Sequence, residues 1–265
     1  MRKGETFEFD GEKYRAASKH QKEWGSKIIS ELKLRGSESV LDLGCGDGVL
    51  TEQLARLVPR GFVLGIDASR GMIDAVKRLE KSNLTFRLMD ISEINFENEF
   101  DLIFSNATLH WIKDHQKLLD SCHSALRKNG MIRFNFAAEG NCSSLIMVVK
   151  DVMHTARYAH YFDSFDWPWY MPTIDSYQLL LERSKFKDIR VSLENADRYF
   201  ATQEEMVRWI EQPSIVPFLK GLTADDKRAF RDSVVAKMIH LTRRENGTFF
   251  ETFRRIDVTA KKDKT

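Results

Sequence analysis

Three glycines and three carboxylates carry most of the chemistry legible in this chain. In the segment Val40-Leu-Asp-Leu-Gly-Cys-Gly-Asp-Gly-Val-Leu-Thr51, glycines stand at 44, 46 and 48, with Asp42 two residues before the first. Glycine permits a sharp turn and lets backbone approach a ligand with no Cβ in the way. A dinucleotide fingerprint would need glycine where Val49 stands, and the Gly-Lys-Ser/Thr of a phosphate-cradling loop is absent. Asp42 would repel a pyrophosphate but can hold a cationic amine. Asp67 and Asp90 each close a short apolar run. The first can accept both hydroxyls of a ribose, the second an adenine amino group. Together these residues describe an adenosine-like ligand with a positive end and no phosphate, which S-adenosylmethionine satisfies.

These residues need strand tips and helix starts to place them. Apolar runs predict strands over 39–43, 62–66, 84–89, 100–105 and 131–136. Helical spacing predicts helices over 49–58, stopped by Pro59, over 69–80, capped by Ser69, and over 114–127, ended by the turn Asn129-Gly130. Strands alternating with helices imply parallel crossovers. The second half reads as helices over 143–157 and 174–184, a strand over 189–193, helical segments from Thr202 to about Arg244, and a closing strand over 249–260 after the turn Asn246-Gly247. The expected fold is α/β: a Rossmann-like seven-stranded, mostly parallel sheet with helices on both faces and an antiparallel last strand. A helical lid inserted in the C-terminal half would cover its carboxyl edge. Residues 1–37 are expected to cap the cofactor, 38–136 to form the cofactor-binding core, and 137–265 to supply the lid and the last two strands.

Composition narrows the class. With 265 residues and 42% apolar side chains, the chain can bury a sizeable core. Lys plus Arg is 41 against 39 for Asp plus Glu, a net charge of +2, which gives no support for a nucleic-acid partner. The tail Lys261, Lys262, Lys264 reads as a solvated end. Cys45, Cys122 and Cys142 form neither a CxxC pair nor an even set, so neither disulfides nor zinc are expected. No histidine set has metal-ligand spacing, so no metal is expected. Met1 to Asp10 lacks the apolar core of a signal peptide, and the longest mid-chain apolar run, 145–149, is far too short for a membrane span. A soluble, cytoplasmic monomer or homodimer is expected.

Asp42–Gly48, Gly65-Ile-Asp-Ala-Ser69 with Met72, Met89-Asp-Ile91 and the run 100–111 resemble the successive motifs of class I S-adenosylmethionine-dependent methyltransferases. More loosely, nearly the whole chain resembles the trans-aconitate and juvenile-hormone-acid methyltransferase branch. The carriers are Asn106-Ala with Trp111, Asp166-Trp-Pro168, Trp209-Ile210, Pro217-Phe-Leu219, Glu245-Asn-Gly247, Phe253-Arg-Arg255 and Ala260-Lys-Lys262. The resemblance implies that Asp42, Gly44, Cys45 and Gly46 face the methionine part. It places Asp67 at the ribose, Asp90 and Ile91 at the adenine and Asn106 near the sulfonium, with Ala68, Met72 and Gln21 also at the cofactor. S-adenosylhomocysteine would be the product. His110 departs from the aconitate branch, which tends to have an amide there.

Methyl transfer from a sulfonium is an in-line displacement on an activated electrophile. A carboxylate acceptor, with a reference pKa of about 4, then requires a cationic clamp and no base. Arg255 is the first candidate clamp, ahead of Arg254; the alternative for either is a surface strand arginine. Tyr14, Gln21 and Trp24 belong to an N-terminal helix that the family folds over the cofactor. Tyr14 or Trp24 could meet the sulfonium face-on; alternatively Trp24 packs into the core. Trp111, Trp167, Trp169 and Tyr170 are candidates for an acceptor wall, the last three equally for a lid core. His110 is a candidate base for a hydroxyl or amine acceptor, or simply packs beside Trp111. An N, S or hydroxyl acceptor, or a non-catalytic binding protein, remains open at this point.

Overall fold

Alternation along the strands decides which layer each side chain joins. In β1 (Ser39–Leu43), Leu41 and Leu43 enter one buried cluster and Val40 another. β2 (Phe62–Asp67) repeats the split, with Leu64 and Ile66 against Val63. After β3 (Leu84–Leu88), β4 (Phe100–Asn106) does so again, with Ile103 against Leu102 and Phe104. The computed structural model describes residues 18–263 and carries a core on each side of its sheet.

The remaining strands are β5 (Leu126–Ala137), β6 (Lys187–Asn195), β7 (Arg198–Phe200), β8 (Phe249–Glu251) and β9 (Arg254–Lys261). Seven of the strands form one sheet in the order β3-β2-β1-β4-β5-β9-β6. The first five pair in parallel, and β9 runs antiparallel to both β5 and β6. This is the expected Rossmann-like fold with an antiparallel last strand. Its chain order reverses between β1 and β4, where open α/β sheets bind ligands at their carboxyl ends.

In chain order the helices are α1 (Lys19–Ser30), α2 (Val49–Leu57), α3 (Arg70–Val76), α4 (His115–Ala125), α5 (Ser143–Met153), α6 (Ile174–Glu182), α7 (Gln203–Trp209), α8 (Val216–Leu219) and α9 (Ala224–Thr242). Ile28 and Ile29 of α1, Leu54 of α2 and Val76 of α3 cover one sheet face; Leu118 and Leu119 of α4 and Tyr177 and Leu181 of α6 cover the other. A third cluster is the lid. It joins Val149 and Val152 of α5, Trp209 of α7, Phe218 of α8 and Phe230, Val234 and Met238 of α9. Each such fully buried side chain contributes about 1.5–3 kcal/mol of transfer free energy.

Helix starts follow local chemistry. Ser69 accepts from Met72 N, Asp114 from Lys117 N and Thr223 from Asp226 N. α5 has no such local cap, because Cys142 takes the position with φ 52°. Glu251 of β8 serves instead: its buried carboxylate accepts from Ser144 N at 3.2 Å and Leu145 N at 2.9 Å.

Three expectations are corrected. α4 ends at Ala125, and Asn129-Gly130 falls inside β5, where Asn129 adopts φ 63° in an irregular stretch of the β4 pairing. The expected strand over 249–260 is two strands, because β8 leaves the main sheet and pairs with β7 as a separate ribbon. The expected helix over 143–157 stops short, at Met153, whereas that over 69–80 continues past Val76 as a 3₁₀ turn to Leu79. Among the described residues, no helix is long and apolar enough to cross a membrane.

Candidate active site

A cavity opens at the carboxyl ends of β1 to β4, roofed by the lid. At one end is the glycine loop. Gly44 N and Cys45 N both donate to Ile66 O at 2.9 Å, tying the loop to the tip of β2. Gly44 has φ 75°, and a Cβ there would sit 2.2 Å from Thr108 Cγ2, so no larger residue fits without displacing Thr108. Asp67 accepts from Gly46 N at 3.0 Å and from Ser69 N at 2.9 Å. Asp90 accepts from Ser92 N at 2.7 Å. Gly44, Gly46, Asp67, Ala68, Met72, Asp90, Ile91 and Gln21 all line the cavity.

Asp42, Cys45 and Asn106 lie behind that wall. Asp42 is buried and accepts from Thr51 Oγ1 at 2.7 Å. Burial, aided by the neighbouring Asp67 charge, pushes its carboxyl up to about 7. Cys45 turns into the core beneath the loop, and burial holds its thiol well above the ordinary range. Asn106 gives its Nδ2–H to Gln21 O at 2.9 Å. The next residue, Ala107, adopts φ 57°, a left-handed conformation costly for a residue with a Cβ, and its N–H bonds Asn135 O at 2.8 Å.

The other end is apolar, with Trp111, Leu145, Trp169, Met171, Trp209 and Phe253 on its wall. Trp169 packs edge-on to Trp111 and against Phe218, with ring centroids 5.8 and 5.4 Å away. Trp167 and Tyr170 do not reach the cavity, which corrects their expected place. The Trp167 ring packs on Phe218 at 5.2 Å, and Tyr170 packs on His115 with tilted rings, centroids 4.7 Å apart.

Among the described wall residues, Arg255 is the only arginine or lysine. It is 2% exposed, and its guanidinium lies 4.3 Å from the Trp24 ring centroid. The Arg198 guanidinium approaches the same ring at 5.1 Å. Trp24, which also lines the cavity and joins the lid cluster, is thus engaged by two arginines. Arg254, one residue away, points elsewhere and pairs with Asp197. Alternation on β9 therefore separates the two arginine candidates.

His110 lies on the wall, 5.3 Å from the Trp111 ring. Burial, with the Arg255 cation adding to it, pushes its imidazole down to about 3. Its turn is held from both sides: Tyr170 N donates to His110 O at 2.7 Å, and His115 Nε2 donates to Leu109 O at 3.0 Å. His115 Nδ1 then accepts from the Tyr177 hydroxyl at 3.0 Å. Tyr14 lies outside the described residues.

Ala107, Asn141, Cys142, Met171 and Ser214 also line the cavity and were not expected there. Asn141 and Cys142 follow the tip of β5, so the rule that ligands sit at carboxyl ends of strands points to them. Nothing comparable marks Met171 or Ser214.

Residues 40–130 match the family described as a methyltransferase domain. An uncharacterised methyltransferase of Schizosaccharomyces pombe is 30% identical over 244 residues, covering 89% of this chain and 91% of that protein. Trans-aconitate 2-methyltransferase of Deinococcus radiodurans is 29% identical over 204 residues, covering 75% and 78%. The solved YcgJ protein of Bacillus subtilis shares the fold, with a TM-score of 0.63 at 14% identity, covering 92% of this chain and 100% of that one. The glycine loop, the acids at the strand tips and these likenesses converge, and the chain belongs to the class I S-adenosylmethionine-dependent methyltransferases.

Proposed function

We propose that this methyltransferase acts on a small-molecule carboxylic acid and makes its methyl ester. One observation carries the reading: a buried guanidinium, Arg255, on the cavity wall and the only arginine or lysine among the described wall residues. A guanidinium gives a carboxylate charge-assisted hydrogen bonds, and dry surroundings make that contact count for more. The name of the Deinococcus relative, a methyltransferase of trans-aconitate, supports an acid.

The residues fit the cofactor. The loop end of the wall presents Asp67 and Asp90, with Asp42 behind, a set of acceptors suited to a cationic adenosine compound without phosphate. In this reading Asp67 holds the ribose hydroxyls and Asp90 with Ile91 the adenine. Gly44 and Gly46 hold the methionine part, and Ala68, Met72 and Gln21 complete the surround. When bound, S-adenosylmethionine supplies an activated methyl group on a sulfonium. Arg255 holds and orients the acceptor, and orientation of this kind is worth up to about 7–11 kcal/mol of barrier. Trp111, Trp169 and Leu145 exclude water. An acceptor carboxylate is already ionised at neutral pH. His110, held near 3, is too weak a base to take a proton from a hydroxyl or ammonium, which disfavours those acceptors.

The test is turnover of S-adenosylmethionine with trans-aconitate, phenylacetate and octanoate, alongside matched amines and alcohols, with products read by mass spectrometry. A methyl ester from at least one acid is expected. Methylation of an amine or alcohol and of none of the acids would overturn the reading.

A further inference from the structure

The sheet carries a polar stripe that leads to Arg255. Ile132, Phe134 and Phe136 of β5 and Ile256 and Val258 of β9 enter one core, so Arg133, Asn135, Arg255 and Asp257 share the opposite face. Asn135 stands opposite Asp257 and Ala137 opposite Arg255. Arg255 donates from Nε to Asn135 Oδ1 and from Nη2 to Asn135 O, the latter at 2.9 Å. Asn135 Nδ2 donates to Asp257 Oδ2 at 3.1 Å. Asp257 Oδ1 accepts from Arg133 Nη1 at 2.6 Å, and Arg133 Nη2 reaches Glu31 Oε2 at 2.7 Å, at the end of α1. The stripe runs from a half-exposed glutamate to the cavity wall, through side chains 0–5% exposed at Arg133, Asn135 and Arg255.

We infer that Asn135, held in one amide orientation by Asp257, is the positioning residue that sets the direction of the Arg255 guanidinium toward the acceptor. The inference rests on the reading of Arg255 as the carboxylate clamp. Arginine nitrogens only donate and a carboxylate only accepts, so Asn135 must turn its oxygen to Arg255 and its NH₂ to Asp257. Neither leucine nor aspartate can do both. The Asp257 anion also polarises the Asn135 amide and strengthens its oxygen as an acceptor. An unrestrained arginine loses side-chain entropy on gripping a ligand; here that ordering is completed in the folded chain. Asp257→Asn would disturb the arrangement, because one of its two donors, Asn135 or Arg133, would then face an NH₂.

The experiment uses the full chain saturated with S-adenosylhomocysteine. Calorimetry gives the affinity for the best acid of the panel above and for its primary amide, whose ratio reports recognition of the anion. In the unmodified protein the acid should win by about 30-fold, as a charge-assisted contact in a dry site implies. Asn135→Leu should bring the ratio near parity. Asp257→Asn should lower it by about threefold, while amide and S-adenosylhomocysteine affinities stay within about twofold. Adding Asn135→Leu to Arg255→Met should cost nothing further, since both act on one contact.

An unchanged ratio in both single variants, with Arg255→Met abolishing it, overturns the positioning role and leaves the clamp standing. Equal loss of acid and amide binding shows a merely structural role and also overturns it. An unchanged ratio in Arg255→Met, or no acid binding at all, sinks the clamp itself and this inference with it. Should Asn135→Leu fail to fold, Asp257→Asn carries the same test.

Discussion

The two ends of the cavity are built on different principles. At the glycine loop the wall is backbone and short acids, each at the tip of its own strand. Asp67 is bonded to two N–H groups, one on its own loop and one on the glycine loop. At the aromatic end the wall comes from distant segments: Trp111, Leu145, Trp169, Trp209 and Phe253 belong to five different stretches of chain. The first end is fixed by hydrogen bonds that the sheet imposes. The second is fixed by side-chain packing inside the lid. Recognition of a constant ligand can be written in strand tips, while the apolar shape that meets a variable one is set by lid packing, beside the Arg255 guanidinium that β9 supplies.

That contrast can be broken from either side. The largest effect is expected from Phe218→Ala. Phe218 is fully buried and packs against the Phe165, Trp167 and Trp169 rings, with centroids 5.6, 5.2 and 5.4 Å away. Removing the Phe218 ring should cost about 3–5 kcal/mol of stability, read as a fall in the denaturant midpoint. At temperatures where the variant stays folded, S-adenosylhomocysteine affinity should hold while acid affinity falls. Equal loss of both would mean that the two ends are not separable.

Next in size is Arg255→Met. It should weaken acid binding by about 30- to 1,000-fold, the usual cost of removing one partner of a buried charge pair, and leave S-adenosylhomocysteine within about twofold. Asp67→Ala is the mirror image. Calorimetry should show S-adenosylhomocysteine binding weakened by about 10- to 100-fold, with the acid KM moving little once the cofactor saturates.

The smallest effect sharpens the comparison by pH. Burial holds the Asp42 carboxyl up at about 7, and a cation in the loop favours its ionised form, so binding should release a proton. Cofactor affinity should therefore rise by up to about tenfold from pH 6 to pH 8 and level off above. The acid end should change by less than about twofold over the same range, because His110 is neutral throughout it. A loss of acid turnover near pH 6.5 would instead mark a histidine acting as base.

The same contrast explains what could be read from residues alone. Asp67, Gly44 and Asp90 were legible because each stands at or just after the end of an apolar run, and a strand end puts it at the carboxyl edge of the sheet. The five strands β1 to β5 and their parallel crossovers followed from apolar runs and helix spacing, whereas their order across the sheet did not. Arg255 was legible as a residue type on a closing strand, but its separation from Arg254 needed the register of β9. Trp167 and Trp169 have the same composition around them and both pack on Phe218; what sets Trp169 apart is its tertiary contact with Trp111 on the cavity wall. The ribbon of β7 and β8 was missed because the run from Phe249 to Ala260 is apolar enough for one strand, and its break at Thr252 and Phe253 is set by tertiary hydrogen bonds. Cys142 N donates to Thr252 O, and Ala196 N to Phe253 O.

The carboxylate of Glu251 has a mechanical meaning. A helix in the roof of the cavity begins on an anion lent by a ribbon more than a hundred residues downstream. Pulling the two apart would strand a buried negative charge and two amide protons at once. The roof therefore cannot fray from that end by degrees; it holds or lets go together with the ribbon, and any breathing that admits an acceptor must come from elsewhere along its rim.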